Sequence, residues 1–207
     1  MMMAETAPTG APLACWSCHG PVAVREPFCP TCAAVQPPGA ADPFARLGVA
    51  PGFELDRAAL DRRYFELQRR LHPDRFVAKS PRERALAQRQ AAALNQAYET
   101  LKEPLSRAGA LLRLAGREVA FDGEGTIADP ALLTEAMELR EALSEVADAG
   151  EARNVAAHAE AELDSCRRAL AAAFAANDLD AAGRLATRLR YLAKLAEEAR
   201  TRIRALA

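Results

Sequence analysis

Two stripes of apolar residues in the middle of the chain predict a pair of helices. The first stripe is Leu60, Tyr64, Leu67 and Leu71, and the second is Ala91, Leu94, Tyr98 and Leu101. Spacings of three and four residues place each set on one face of a helix. Asp56 is in position to cap the first helix, and Ser80 and Glu83 form a capping box around Pro81 before the second. We predict an antiparallel hairpin, covered by a short helix that carries Phe44 and Leu47.

The C-terminal part of the chain carries three longer apolar stripes with the same spacing. Their members are Leu132, Ala136, Leu139, Leu143 and Val146; Ala159, Leu163, Cys166, Leu170 and Ala173; and Leu185, Leu189, Leu192, Ala196, Ala199, Ile203 and Leu206. Gly150 and the Asn177–Asp178 pair separate the stripes. Heptad-like helices with short links favour an antiparallel three-helix bundle. We therefore predict an all-α protein.

Changes in composition divide the chain into four segments. Residues 1–14 are rich in Ala, Pro and Thr, which is typical of a disordered lead-in. Residues 15–41 hold four cysteines and a Pro-Pro-Gly linker, residues 42–120 hold the hairpin, and residues 121–207 hold the bundle. The hairpin segment has 15 basic and 10 acidic residues, whereas the bundle has 11 and 16. This split suggests surfaces for two different partners, although solvated helix faces of random sign would also give it.

Charge and hydropathy exclude some classes of function. The basic bias is too weak, and aromatic residues are too few, to predict a nucleic-acid partner. No apolar run reaches the ~18 residues that span a bilayer, so we expect no membrane association. Residues 1–14 contain no Arg or Lys and resemble neither a secretory signal nor a transit peptide. We expect a bacterial cytoplasmic location rather than a mitochondrial matrix one.

Four cysteines occur as two Cys-x-x-Cys pairs, which predicts a metal site. The residues are Cys15, Cys18, Cys29 and Cys32. Four thiolates on two tight turns can surround a tetrahedral ion, and such sites stabilise segments too short to build a core. We predict a structural zinc ion in a zinc-ribbon-like module, with iron not excluded. A redox-active thiol pair and a labile iron–sulfur site are the alternatives.

A His-Pro-Asp tripeptide interrupts the helical pattern between the two stripes of the hairpin. Pro73 disfavours helix at His72, so the loop presents His72 and Asp74 outward. Basic residues surround it: Arg62, Arg63, Arg69, Arg70 and Arg75. A basic helix beside this loop suits docking to an acidic protein surface. In this context the tripeptide resembles the signature loop of a J-domain, the module that activates ATPase chaperones of the seventy-kilodalton heat-shock class.

The resemblance extends to the HscB family of iron–sulfur co-chaperones. Its motifs are Pro-Phe-Ala-Arg-Leu-Gly-Val at 43–49, His-Pro-Asp-Arg-Phe at 72–76, Leu-Asn-Gln-Ala-Tyr-Glu-Thr-Leu at 94–101, Pro-Leu-Ser-Arg-Ala at 104–108 and Met-Glu-Leu-Arg-Glu at 137–141. The resemblance implies an L-shaped protein in which a J-domain joins a three-helix bundle. It also implies two partners: an HscA- or DnaK-type ATPase chaperone, and an IscU-type scaffold that the bundle binds and delivers for cluster transfer.

The resemblance also assigns scaffold-binding residues. These are Leu133, Met137, Glu138, Glu141 and Tyr191. Leu133 and Met137 follow core positions by one residue, so they flank the core of their helix and are rimmed by acids. A broadened core stripe is the alternative interpretation. Thr134 stands where family members usually have a bulky apolar residue, which weakens the expected surface.

The cysteine module resembles that of animal-type members, with Cys-Trp-x-Cys at 15–18 and Phe-Cys-Pro-x-Cys at 28–32. The sequence contains no Ser/His/Asp order, phosphate loop or carboxylate pair that would predict catalysis, so we expect an ATPase-activating co-chaperone that is not itself an enzyme. Two other functions stay open. One is a general J-protein that holds unfolded clients, and the other is a metal or redox sensor built on the cysteines.

Overall fold

The structure is a computed structural model that describes residues 12–117 and 130–206. The chain forms two compact units that divide between Glu103 and Pro104. Within these ranges the fold is all-α apart from one two-stranded sheet, as the sequence predicts. None of the helices in the described ranges is both long and apolar enough to cross a membrane.

The first unit begins with the cysteine module, in which two turns have the same backbone geometry. Strands β1 (Leu13–Ala14) and β2 (Pro21–Val22) pair antiparallel, with Leu13 opposite Val22, and Phe28 bridges to Val35. In each turn the residue after the second cysteine has a positive φ, 62° at His19 and 59° at Ala33. The N–H of that residue donates to the carbonyl of the first cysteine, at 3.0 and 2.9 Å. Each Cys-x-x-Cys segment therefore turns its two sulfurs toward the same point.

Four helical segments complete the first unit. They are α1 (Pro43–Leu47), α2 (Arg57–Leu71), a 3₁₀ turn (Pro73–Phe76) and α3 (Pro81–Lys102). The predicted caps are confirmed. The Asp56 carboxylate accepts the N–H of Ala59, and Ser80 and Glu83 form a capping box. These contacts satisfy N–H groups that have no partner within the helix.

Helices α2 and α3 pair antiparallel, as predicted. The rings of Tyr64 and Tyr98 stack with centroids 4.0 Å apart. The Tyr64 hydroxyl donates to Asn95 at 3.1 Å, and the Tyr98 hydroxyl donates to Asp61 at 2.9 Å. The fully buried core of this unit includes Phe44, Leu47, Leu60, Leu71, Leu94 and Leu101. The hairpin is thus fixed by an apolar core on one side and an aromatic pair with hydrogen bonds on its edge.

The structure describes four helices in the second unit. They are α4 (Pro104–Leu114), α5 (Pro130–Glu145), α6 (Ala149–Ala175) and α7 (Leu179–Leu206). Helices α5, α6 and α7 pack on one another, and α4 packs on α7. The sequence boundary at residue 120 falls outside the described residues, whereas the two compact units divide before α4.

The links between the bundle helices are partly as predicted. Asn177 has a φ of 54° and ends α6, which confirms the break at this point. The prediction of a break at Gly150 is wrong, because α6 begins at Ala149 and Gly150 lies inside its first turn. The Asp148 carboxylate accepts the N–H groups of Gly150 and Glu151, so the cap comes from the residue before the helix. Because this cap satisfies N–H groups of the first turn, α6 tolerates a glycine there.

Candidate functional site

The His-Pro-Asp tripeptide lies on the surface at the end of α2. The exposed fractions of the His72 and Asp74 side chains are 52% and 84%. The His72 Nδ1 accepts the N–H of Asp74 at 3.4 Å and lies 3.5 Å from the Asp74 carboxylate. Phe76 is buried and anchors the far end of the 3₁₀ turn. The loop therefore presents an imidazole and a carboxylate together on a short, anchored turn.

The arginines around this loop do not share one face. Arg62 and Arg69 lie seven residues apart on an exposed face of α2. Arg63 and Arg70 lie one residue further along, which turns them by about 100°. The Arg63 guanidinium donates to the Leu47 carbonyl at 3.1 Å, and Arg70 stacks 4.8 Å from the centre of the Phe28 ring. Arg63 and Arg70 therefore contact residues outside α2. Arg62 lies 4.0 Å from the Asp56 carboxylate and Arg69 donates to the Phe65 carbonyl within α2, and both are exposed, as is Arg75.

The structure brings the four predicted metal ligands together. All four sulfur atoms lie within 4.8 Å of one another. The sulfurs of Cys15 and Cys32 are 3.7 Å apart, as are those of Cys18 and Cys29. A tetrahedral ion with metal–sulfur bonds of ~2.3 Å requires neighbouring sulfurs about 3.8 Å apart. The cluster thus has the dimensions of a tetrathiolate metal site, in which the ion would fix two chain segments together.

Hydrogen bonds prepare two of the four thiols to ionise. Burial raises the pKa of Cys15, but N–H groups of Cys18 and Ser17 and the neighbouring thiols outweigh it and lower that pKa to about 6. The pKa of Cys29 falls for matching reasons, since N–H groups of Cys32 and Thr31 overcome its burial. Thiolate, not thiol, is the metal ligand. The backbone of each turn therefore favours the ligand form of its buried cysteine.

A chain of buried polar contacts links this site to α3. The Gln36 side chain donates to the Cys15 sulfur at 3.3 Å. The Gln90 side chain, from α3, donates to the Gln36 carbonyl at 2.9 Å. Both glutamines are buried, with exposed fractions of 5% and 4%. The metal site is therefore joined by two hydrogen bonds to the helix that follows the His-Pro-Asp loop.

A stacked pair strengthens this junction. The guanidinium of Arg82, in the first turn of α3, lies 4.3 Å from the centre of the Trp16 ring, and the Trp16 indole N–H donates to the Val35 carbonyl at 2.7 Å. The sequence pattern does not predict these roles of Arg82, Gln36 and Gln90. Their partners lie far along the chain, and the only local signal was a glutamine, Gln90, at a position facing the core of α3.

The predicted scaffold-binding residues lie in the second unit. Met137 is 63% exposed on α5, and Glu138 and Glu141 are exposed beside it. Tyr191 is half-buried on α7, with the Arg190 guanidinium 5.3 Å from its ring centre. The Leu133 side chain lies outside the described part of the structure. For Met137 the core interpretation is wrong, because a core side chain would not be this exposed.

Contacts between α5 and α7 show which positions along the two helices lie side by side. Arg140 pairs with Glu198, and Arg202 donates to the Val146 carbonyl, so α5 and α7 run parallel. Residues that lie side by side on the two helices differ in number by 58 at the first contact and by 56 at the second. Position 133 of α5 therefore lies near the level of Tyr191, and Met137 lies about one turn further on. Leu195, one turn after Tyr191 on α7, is buried.

A known protein family matches most of the second unit. Residues 128–200 match the family described as the HSCB C-terminal oligomerisation domain. Curated relatives that match most of this chain are co-chaperones, a class that fits a bundle of this type preceded by a helical hairpin with an exposed His-Pro-Asp loop. Two curated relatives identify the family. The iron-sulfur cluster co-chaperone protein HscB homolog of Arabidopsis thaliana is 35% identical over 185 residues, 89% of this chain and 72% of the relative. The co-chaperone protein HscB of Proteus mirabilis is 38% identical over 161 residues, 76% of this chain and 92% of the relative. The chain belongs to the HscB family.

Solved structures agree. The crystal structure of human co-chaperone protein HscB superimposes with a TM-score of 0.83 and 32% identity, covering 90% of this chain and 96% of the human one. Chaperone HscB from Vibrio cholerae gives a TM-score of 0.72 and 34% identity, covering 81% of this chain and all of the other.

Proposed function

We propose that this protein is a J-domain co-chaperone of iron–sulfur cluster biogenesis. Its first unit stimulates the ATPase of an HscA- or DnaK-type chaperone, and its second unit binds an IscU-type scaffold and delivers it. The observation that carries the proposal is the exposed His72-Pro73-Asp74 loop at the end of a basic helix, in a chain of the HscB family.

The exposed arginines support the first half of the proposal. Arg62 and Arg69 share a face of α2, and Arg75 follows the loop. Positive charge on one face accelerates encounter with an acidic surface, while close contacts at the loop give specificity. The imidazole and the carboxylate of the loop are exposed and, among the described residues, contact each other, so both are accessible to a partner.

The surface of α5 supports the second half. An exposed methionine adaptable in shape, rimmed by Glu138 and Glu141, suits a protein interface. The relatives named as iron-sulfur cluster co-chaperones favour a scaffold protein as the partner of this surface. The tetracysteine site has a structural role in the proposal, with zinc as the ion, since four thiolates leave no open position for a reacting group.

The loop is tested by His72→Gln in a steady-state ATPase assay with the chaperone. We expect stimulation to fall to the basal rate, because the substitution removes the imidazole from the exposed turn. Scaffold affinity, measured by calorimetry, should not change, since His72 lies in the other unit.

His158→Gln is the matched control, because His158 is also exposed but lies on α6. It should stimulate as the wild type does. Full stimulation by His72→Gln would remove the loop from the mechanism. Stimulation that is lost together with scaffold binding would point to a folding defect instead.

A further inference from the structure

A cavity lined by arginines lies between the cysteine module and the hairpin. It has a volume of about 270 Å³ and lies wholly within the first unit. Four arginines from three segments line it: Arg25 from the module, Arg46 from α1, and Arg63 and Arg70 from α2. Glu26 is the single carboxylate among its lining residues, all of which the structure describes. The cavity therefore concentrates positive charge.

Contacts that do not neutralise charge hold three of these arginines in place. Arg46 donates from Nη2 to the Gly39 carbonyl at 2.8 Å, and Arg70 stacks on the Phe28 ring. Arg63 donates from Nε to the Leu47 carbonyl. Carbonyls and an aromatic face orient a guanidinium but leave its full charge. The Arg63–Glu66 pair, at 2.9 Å, is the one ion pair that these four arginines show in the described residues, and Glu66 does not line the cavity.

A glycine allows the close approach of Arg63. Gly48 ends α1 in the left-handed conformation, with a φ of 66°. A Cβ atom at this position would lie 3.2 Å from the Arg63 Nη2. The guanidinium thus occupies space that a side chain at position 48 would contest, and it is held at the cavity wall.

The charge at this site is incompletely solvated. Burial lowers the pKa of Arg46, although the nearby Asp42 carboxylate raises it. Several guanidinium groups around one small volume repel one another, and an anion placed among them offsets that repulsion.

We propose that this cavity is a binding site for a phosphate-type oxyanion, either inorganic phosphate or the phosphate group of a small ester. Planar guanidinium groups donate paired N–H bonds that match tetrahedral oxyanions. The volume is at the small end for ligand pockets, which suits a small anion better than a large organic molecule. An anion in this position contacts Arg25 of the module together with Arg46 and Arg63 of the helices, so it joins the two parts of the unit.

Calorimetry on the metal-loaded full-length protein tests the site. Inorganic phosphate and glycerol phosphate are titrated separately, with ionic strength held constant by sodium chloride. We expect saturable binding of at least one of them. Equal affinity for both would identify the phosphate group alone as the ligand, and tighter binding of the ester would identify the ester.

Arg63→Gln and Arg62→Gln form the matched pair. They are adjacent, remove the same charge, and differ in that only Arg63 lines the cavity. We expect Arg63→Gln to weaken binding at least tenfold and Arg62→Gln to change it less than twofold. Arg25→Gln, at an exposed position of the module, gives a second loss that does not depend on the packing of α2.

Three outcomes would overturn the proposal. The first is that the wild type binds neither anion saturably. The second is that Arg62→Gln and Arg63→Gln weaken binding equally. The third is that Arg25→Gln and Arg63→Gln, each tested as a single variant, both leave the affinity unchanged. Equal weakening would mean that the anion senses only overall charge. The outcomes are independent of chaperone stimulation, so the proposed function is not at stake in this test.

Discussion

Gln90 is a polar residue that the fold has placed in an apolar position. Its neighbours on the core face of α3 are Leu86, Ala87 and Leu94, all buried. The Gln90 side chain donates to the backbone carbonyl of Gln36, and the Gln36 side chain in turn donates to the Cys15 sulfur. A buried carbonyl without a donor costs about 1–3 kcal/mol, which explains why an apolar residue would be a poor replacement.

We predict that Gln90→Leu lowers the free energy of unfolding of the metal-loaded protein by about 1–3 kcal/mol. The substitution keeps an apolar stem of similar length but leaves the Gln36 carbonyl without this donor. Urea denaturation followed by circular dichroism gives the measurement. Gln88→Leu, at an exposed position two residues earlier, is the control and should change stability by less than about 0.5 kcal/mol. Equal effects of the two substitutions would mean that the bond contributes nothing.

Among the elements, the cysteine module depends most on a bound ion. Its strands are two residues long, and its buried apolar residues are Cys15, Val22, Cys29, Ala34 and Val35, two of which are candidate ligands. Such a small core cannot hold the segment in place by itself. The docking of the module against α3 through Trp16 and Arg82 therefore depends on the metal.

We predict that Cys18→Ala abolishes metal binding and shifts the fluorescence of Trp16 to longer wavelength. Trp16 is the only tryptophan, so its emission reports on the module alone. Removal of the ion frees the indole from Arg82 and the Val35 carbonyl and exposes it to water. Metal content by atomic absorption and the emission maximum are the two measurements. Cys166→Ala, in α6, should leave both unchanged, and wild-type emission in Cys18→Ala would show that the module docks without metal.

The sequence predicts features that depend on local contacts but not those that depend on contacts between distant residues. The caps at Asp56 and Ser80 and the stripe through Leu94 depend on neighbours within a turn or two, so they were predicted correctly. The four cysteines were also found, because their spacing carries the signal. The hydrogen bond from Gln90 to Gln36 and the stacking of Arg82 on Trp16 join residues more than fifty positions apart, so no local periodicity in the sequence indicates them. The prediction that Gly150 separates two helices is wrong because Asp148, two residues earlier, caps the N-terminus of α6.

At the scale of the whole molecule, the two proposed contact regions belong to different units. The loop at His72 lies in the unit that ends at Glu103, and Met137 lies in the unit that begins at Pro104. Each unit has its own buried core, one around Phe44 and the other around Leu170. Substitutions in separate cores and surfaces usually act independently.

We predict that Met137→Ala weakens scaffold binding by roughly 1–3 kcal/mol, the range for interface anchors, while stimulation of the chaperone without scaffold is unchanged. Calorimetry and the ATPase assay measure the two effects. Leu114→Ala, which removes another exposed apolar side chain of the same unit, should leave scaffold affinity at the wild-type value. If Leu114→Ala weakened binding as much as Met137→Ala, loss of apolar surface in general would account for the effect and α5 would lose its special role.

The bond between Gln90 and Gln36 also has an evolutionary consequence. It joins residues 54 positions apart, one in the cysteine module and one in α3, a helix that contains no cysteine of its own. Selection for glutamine at position 90 therefore depends on inheritance of the module. In a relative without the module, a glutamine at this position would have no Gln36 carbonyl to bond. We therefore expect glutamine to be favoured at this site of α3 in relatives that carry the four cysteines, and other residues to be accepted there in relatives that lack them.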